Sequence, residues 1–452
     1  MIRKIKWSQH EILGNLELDF TKPDGTVYDT IVLAGENGTG KTTILETIAT
    51  FLNIGSIEPF DSISYMASGV PYTIRPASNE NAKWGFHYRK NELDGTEIHV
   101  NSNRNNNYRE IESNQADLRH YGFSYSKARS GFTTKKVKAT TVQQLDSEKY
   151  EDDASDDFTS IKQLLVDIIV QDSTEWMKIT ESGDGTPFPE FKESSKKFRF
   201  EKAFNDFFDT VKFKGIDNTN TEEISIRFEK YGKEISIDRL STGEKQIVFR
   251  GAHLLKNKNS MTGGVVLVDE PELSMHPKWQ QKVLQYYRNL FYNNGSQDAQ
   301  MIIATHSEYV LRSALQDRDN VLIIVLKDDN GTICSDRITA PTVLPTITSA
   351  ETNYLAFGIL SVDYHIELYG YLQNKTGCNT VKSCDDYIAQ QSAVYNPTLH
   401  SKPSSFTNQR GQTTNYQTLP TYIRNLIDHP DPNKSYTQEE LKCSIELLIA
   451  LC

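Results

Sequence analysis

Short unbroken apolar runs, IVLA within 30–34, VVLV at 265–268 and MIIA at 301–304, recur along the chain, and each passes straight into polar residues. A run without alternation describes a strand buried on both faces. The first is followed, from Thr43, by TILETIATFL with helical spacing, which predicts a strand, a loop and a helix. Upstream, residues 2–20 alternate like two strands, with a turn in TKPDGT at 21–26. Residues 53–141 are rich in Asn, Ser, Gly and aromatics, with strand-like WGFHYRK and TEIHV, so a β-rich subdomain with long loops is expected, NSNRNNNY (101–108) being a loop tip. Residues 157–177 predict a helix with Phe158, Ile161, Leu164, Leu165, Ile168 and Ile169 on one face, and 200–208 a second. Together these give a helical lobe over about 157–223, then a hairpin at 224–237 turned at Gly232. VLIIVLKDDNGT, after Asn320, reads as a further strand. Pro341 and Pro345 mark a boundary, beyond which the pattern is mainly helical, closing on a helix whose Thr437 and Glu440 form a capping box. A Ser/Thr/Asn/Gln-rich loop at 401–417 interrupts it. The expectation is an α/β domain over 1–340, with a mixed sheet and β-rich and helical subdomains, and a small α-helical domain over 341–452.

Composition narrows the function class. A 452-residue chain with 37% hydrophobic and 24% charged residues is that of a soluble globular protein of two or three units. No apolar run reaches the ~20 residues of a membrane span, and the N-terminus alternates where an export signal would be continuously apolar. Five cysteines without CxxC spacing read as reduced thiols in a cytoplasm. The net charge of −11 excludes a protein that coats nucleic acid with its whole surface. A local patch stays open. Residues 121–138 interleave Tyr121, Phe123, Tyr125 and Phe132 with Lys127, Arg129, Lys135, Lys136 and Lys138, which fits either base stacking or a core strand with a basic exit loop. The acidic run at 146–157 reads as a solvated loop.

The chemistry lies where the apolar runs end. Gly35, Gly40, Lys41 and Thr42 stand in G-x-x-x-x-G-K-T, with Asn37, Gly38 and Thr43 completing the loop. Glycines let successive amides face phosphate oxygens, Lys41 reaches the β/γ oxygens of ATP, and the Thr42 hydroxyl can ligate Mg²⁺. Asp269, ending VVLV, can hold Mg²⁺ through water, and Glu270 can orient or deprotonate an attacking water. His306, after MIIAT, is placed to hydrogen-bond the γ-phosphate. Ser241 and Gly243 in LSTGEKQ (240–246) open a helix and form either a second anion site or merely a capped helix start.

In this order the motifs resemble the ABC-type ATPases of the RecF-, SMC- and OLD-like branch. GENGTGKTT is similar to Walker A, LSTGEKQ to the signature, VVLVDEPE to Walker B, ELSMHP to the D-loop and ATHS to the H-loop. The resemblance implies a homodimer or higher homo-oligomer with ATP sandwiched between one copy's Walker A and the other's Ser241. No heptad repeat lies between Lys41 and Ser241, so a long coiled coil is not expected. The Q-loop glutamine is unassigned among Gln115, Gln143 and Gln144. Among such ATPases the chain looks most similar to the Septu-type of anti-phage defence, including the form accompanying retrons, which implies control of an HNH-type partner nuclease and contact with retron, tRNA or phage nucleic acid. Two alternatives stand beside this. Arg424 and His429 in YIRNLIDHP are similar to the R-N-x3-H motif of HEPN ribonucleases, a self-contained effector, although a docking module also fits. The other is a RecF-like DNA repair ATPase.

Overall fold

The computed structural model describes residues 1–78, 85–101, 108–129, 131–152, 157–183, 185–220, 222–293, 295–338, 342–407 and 411–452. The chain divides into Met1–Arg337 and Ile338–Cys452. Pro341, offered as a boundary mark, lies outside the described residues.

The first unit is built on a seven-stranded sheet in the order Thr332–Arg337, Val321–Asp329, Thr30–Gly35, Gln300–Ala304, Val265–Asp269, Phe123–Ser126, Tyr150–Asp152. Every neighbouring pair is parallel except Thr332–Arg337 on Val321–Asp329. Thr30–Gly35, Val265–Asp269 and Gln300–Ala304 are buried at every position, which is why their sequences do not alternate. Their register sets Leu33 opposite Ala304 and Ala304 opposite Asp269, so the polar residues after all three strands emerge at one sheet edge.

A six-stranded antiparallel sheet, running from Glu17–Asp19 to Glu97–Asn101, forms the expected β-rich subdomain. It shares one core with the central sheet and the helix Lys41–Leu52, through Ile2, Ile5, Trp7, Ile44, Ile48 and Ile63 among others. Buried Gln300 locks the two together: its amide nitrogen donates to the carbonyls of Ile2 (2.9 Å) and Tyr28 (3.0 Å), and its oxygen accepts the Ile2 amide (2.6 Å).

The segment 121–138 resolves toward the core. Phe123 and Tyr125 are fully buried in the central sheet, and Phe132 stacks on Phe249. Lys127, Lys135 and Lys136 pair with Asp152, Asp157 and Glu222. The acidic run is not a free loop either, since Tyr150–Asp152 is an edge strand and Asp146 accepts both guanidinium nitrogens of Arg199. Residues 153–156 and most of the expected loop tip, 102–107, lie outside the described residues. The helical lobe holds helices Thr159–Ser182, Phe188–Ser194 and Lys196–Phe207, together with an unexpected strand, Val211–Asp217, paired to the hairpin Ser225–Lys230 and Lys233–Ser236.

The second unit has its own core, centred on Tyr364, Leu368, Leu372, Ile423, Ile445 and Leu448. The Thr437–Glu440 capping box is present. The expected loop at 401–417 is instead a hairpin, Ser401–Thr407 with Thr413–Thr418. Its few buried positions, Tyr416 and Thr418, and the docking of Asp385 on the amides of Gln417 (2.9 Å) and Thr418 (3.0 Å) replace the apolar alternation that would have announced a strand.

His87 gives the β-rich subdomain a pH dependence. It is fully buried, Nδ1 donating to the Gly85 carbonyl (3.0 Å) while Nε2 accepts from Arg119 (3.0 Å), and burial lowers its pKa from 6.5 to about 3. Between those values only the unfolded chain takes up the proton, so this stabilisation is present above pH 6.5 and lost as the pH falls. Relative to His87→Gln, the parent should lose about 1.4 kcal/mol per pH unit between pH 6 and 4 in denaturant titrations. Parallel pH profiles would contradict the assignment.

Candidate functional site

The loop after the first buried strand has its shape forced on it. At Gly35 (φ 142°) a Cβ would lie 2.5 Å from the Leu326 carbonyl oxygen, and at Gly40 (φ 82°) 2.6 Å from a Leu13 methyl. Gly40 is the N-cap of the twelve-residue helix Lys41–Leu52 and offers no side-chain cap. The first-turn amides and the positive helix end therefore face the space above the loop, which suits a phosphate. Asn37 and Gly38 form the exposed tip, with Thr39 bonding back to the Glu36 carbonyl (2.8 Å). The Lys41 ammonium, almost wholly buried, donates to the carbonyls of Gly35 (2.8 Å) and Glu36 (2.7 Å); burial lowers its pKa, with Glu270 and Asp269 opposing.

Thr42 and Asp269 meet across the sheet edge, the hydroxyl donating to Oδ2 at 2.9 Å. Asp269 Oδ1 is buried without a partner, and burial pushes the carboxyl up to about 6, the Thr42 hydrogen bond working against it. A Mg²⁺ ion near Oδ1 and the Thr42 oxygen would satisfy the orphaned atom and favour the ionised form. Among the described residues no group of three His, Cys, Asp or Glu could ligate a metal, so phosphate oxygens and water would supply the remaining ligands.

Glu270 follows with φ 45°, a backbone region that non-glycine residues rarely occupy, and its amide donates to the Ala304 carbonyl (2.9 Å). Its Oε1 stands 3.3 Å from Nδ1 of His306, whose ring is partly exposed. Lys41, Thr42, Asp269, Glu270 and His306 are thus brought to one edge.

Two further residues build this edge. Arg250, fully buried in a π-helical turn (Gln246–Arg250), donates to the carbonyls of Asp269 (2.5 Å), Glu270 (3.0 Å) and Ser126 (3.0 Å) and to the Ser126 hydroxyl (2.8 Å). Its sequence signal was a lone charge inside the apolar stretch IVFRGAHLL. Glu272 is buried, which raises its pKa, and Oε1 accepts from the Thr305 hydroxyl (2.6 Å) and the His306 amide (3.1 Å). It mounts the His306 loop on the strand end that carries Glu270.

Ser241 and Gly243 form no described hydrogen bond to this edge. Ser241 opens its helix in a capping box with Glu244: its amide donates to the carboxylate (2.8 Å) and its oxygen accepts the Glu244 amide (3.4 Å). Lys230 holds the same carboxylate at 2.6 Å. Of the two sequence readings, the capped helix start is therefore present, with Ser241 and Thr242 exposed beside it. A Cβ at Gly243 would lie 2.8 Å from the Ser274 carbonyl oxygen, so the signature helix rests directly on the D-loop segment.

Gln115, Gln143 and Gln144 make no described hydrogen bond to the phosphate loop, and the Q-loop position stays unassigned. In the second unit, Arg424 pairs with Asp428 (2.7 Å) and Asn425 (3.0 Å), while His429 ends the helix stacked on Phe406 (ring centroids 4.7 Å). That guanidinium is held in place by its own helix.

Arg250→Lys keeps the charge but cannot span several acceptors at once. ATP turnover should fall about tenfold or more while nucleotide affinity stays within a few-fold, since the backbone at the ends of strands Phe123–Ser126 and Val265–Asp269 is loosened and the phosphate loop is not touched. Parent-rate turnover would remove the positioning role.

Residues 31–312 match the family described as "AAA domain, putative AbiEii toxin, Type IV TA system". The "Retron Vc95 probable ATPase" of Vibrio cholerae serotype O1 biovar El Tor is 32% identical over 130 residues, 27% of this chain and 23% of that one. The "Retron Ec83 probable ATPase" of Escherichia coli is 32% identical over 105 residues, 21% of this chain and 18% of that one. The matches therefore span about a fifth to a quarter of those relatives. Among solved structures, the SMC head domain from Thermotoga maritima aligns over 75% of this chain and 99% of its own, at 13% identity and a TM-score of 0.40. With a glycine-shaped loop, Thr42 bonded to Asp269 and an adjacent glutamate on one parallel sheet edge, and a family match spanning more than half its length, the chain belongs to this AAA-domain family of ATPases.

Proposed function

We propose that the chain binds Mg²⁺·ATP at the Gly35–Thr43 loop, closes head to tail on a second copy, and hydrolyses ATP slowly with Glu270 as base and His306 on the γ-phosphate. The observation that carries this reading is the 2.9 Å hydrogen bond from Thr42 to Asp269, which presents a hydroxyl and a carboxylate together beneath an uncapped helix start. Dimerisation is supported by the exposed Ser241, which makes no described hydrogen bond to its own phosphate loop. A second copy would bring that serine to the γ-phosphate and complete the site.

We further propose that this assembly restrains an HNH-type partner nuclease in anti-phage defence of the Septu or retron kind. The retron ATPases among its relatives support that context. A RecF-like role gains no support from Lys135 and Lys136, which are ion-paired, and a HEPN-like effector gains none from Arg424, which is also paired.

Lys41→Ala should abolish binding of a fluorescent ATP analogue, because it removes the ammonium that the Gly35 and Glu36 carbonyls hold in the loop. Glu270→Gln should bind ATP as the parent does yet accumulate as an ATP-dependent dimer, read as a doubled mass in light scattering. A Glu270→Gln protein that hydrolysed ATP at the parent rate would remove Glu270 as the base.

A further inference from the structure

A cavity of about 640 Å³ lies in the helical lobe, bounded by helices Thr159–Ser182, Phe188–Ser194 and Lys196–Phe207 and by strand Val211–Asp217. Its walls are aromatic. Trp176 meets Phe188 and Phe191 with ring centroids at 5.2 and 5.1 Å, and Phe213 also lines the cavity. Phe188 is 54% and Met177 60% exposed, so folding leaves apolar surface facing water here.

The rim is cationic. Lys192, Lys197, Lys212 and Lys214 border the cavity, against the carboxylates Asp172 and Glu201. Asp172 is buried and its oxygens accept the backbone amides of Lys196 (3.2 Å) and Lys197 (2.6 Å), so it is turned toward the helix start. Glu201 is shared between Lys192 (2.7 Å) and Lys197 (3.7 Å). Lys214 pairs with Glu229. The described hydrogen bonds of the Lys212 ammonium go to the carbonyls of Asn205 (3.2 Å) and Phe208 (3.4 Å).

We propose that this cavity binds a small amphipathic anion: a flat apolar body between Trp176, Phe191 and Phe213, with one carboxylate, sulfonate or phosphate at the lysine rim. The volume falls in the ~300–1,000 Å³ range of small-molecule sites. A neutral apolar ligand would leave the Lys212 ammonium, whose described contacts are carbonyls rather than a carboxylate, without a counter-charge, and a polyphosphate would strand its charge against aromatic walls. The site also touches the ATPase machinery mechanically. Phe213 is cross-strand partner to Phe228, and the same strand, Ser225–Lys230, ends in the lysine that holds Glu244 of the Ser241 capping box.

The test is fluorescence titration of the full chain with 8-anilinonaphthalene-1-sulfonate, with uncharged N-phenyl-1-naphthylamine as its comparator. The expected result is one saturable sulfonate site that quenches Trp176. Ser173→Phe, an exposed position at the mouth, should block both probes. Lys212→Glu with Lys214→Glu, both exposed, should weaken the sulfonate about tenfold and leave the neutral probe unchanged. All variants should keep the parent's circular dichroism and ATP turnover. Non-saturating binding, or binding untouched by Ser173→Phe, would overturn the site, and equal weakening of both probes by charge reversal would overturn the anion.

Discussion

Three parallel strands that end in register are the constraint on which the rest of this ATPase depends. Thr30–Gly35, Gln300–Ala304 and Val265–Asp269 have no exposed face, so the chain can place polar chemistry only where they stop. Because they stop together, Thr42 can reach Asp269 across 227 residues of sequence, and His306 can reach Glu270. A shift of one residue in either pairing would move a carboxylate by ~3.3 Å, enough to break the 2.9 Å hydrogen bond from Thr42 to Asp269.

Such an edge concentrates negative charge, and the protein answers with buried positive charge and dipoles. Arg250 binds the carbonyls of Asp269 and Glu270, holding Glu270 at its unusual φ. The desolvation of that guanidinium, several kcal/mol for an unpaired ion, is offset only because its donors meet several acceptors. Arg250 also sits one helical stretch beyond Ser241. The backbone of Glu270 and the helix opened by Ser241 are thereby connected through one side chain, and the Ser274 carbonyl against Gly243 makes a second connection.

Much of this was legible in the sequence for a physical reason. Unbroken apolar runs announce doubly buried strands, and glycines at fixed spacing announce a phosphate loop whose crowding by Leu326 and Leu13 tolerates little else. What escaped notice was set by tertiary contact. The hairpin at Ser401–Thr418 has polar residues on nearly every position, so no periodicity marks it. Arg250 and Glu272 act through carbonyls, a hydroxyl and an amide contributed by distant strands, which no local pattern encodes. The aromatics of 121–138 fitted two readings until the sheet buried Tyr125 opposite Leu267.

In the proposed dimer, one copy's phosphate loop is completed by the other copy's Ser241. Mixing an inactive Lys41→Ala protein with an inactive Ser241→Arg protein measures it most directly. A mixed dimer holds one site with Lys41 and Ser241 both intact, so random pairing should restore about a quarter of the parent ATPase rate. A mixture as inactive as its two components would contradict the account.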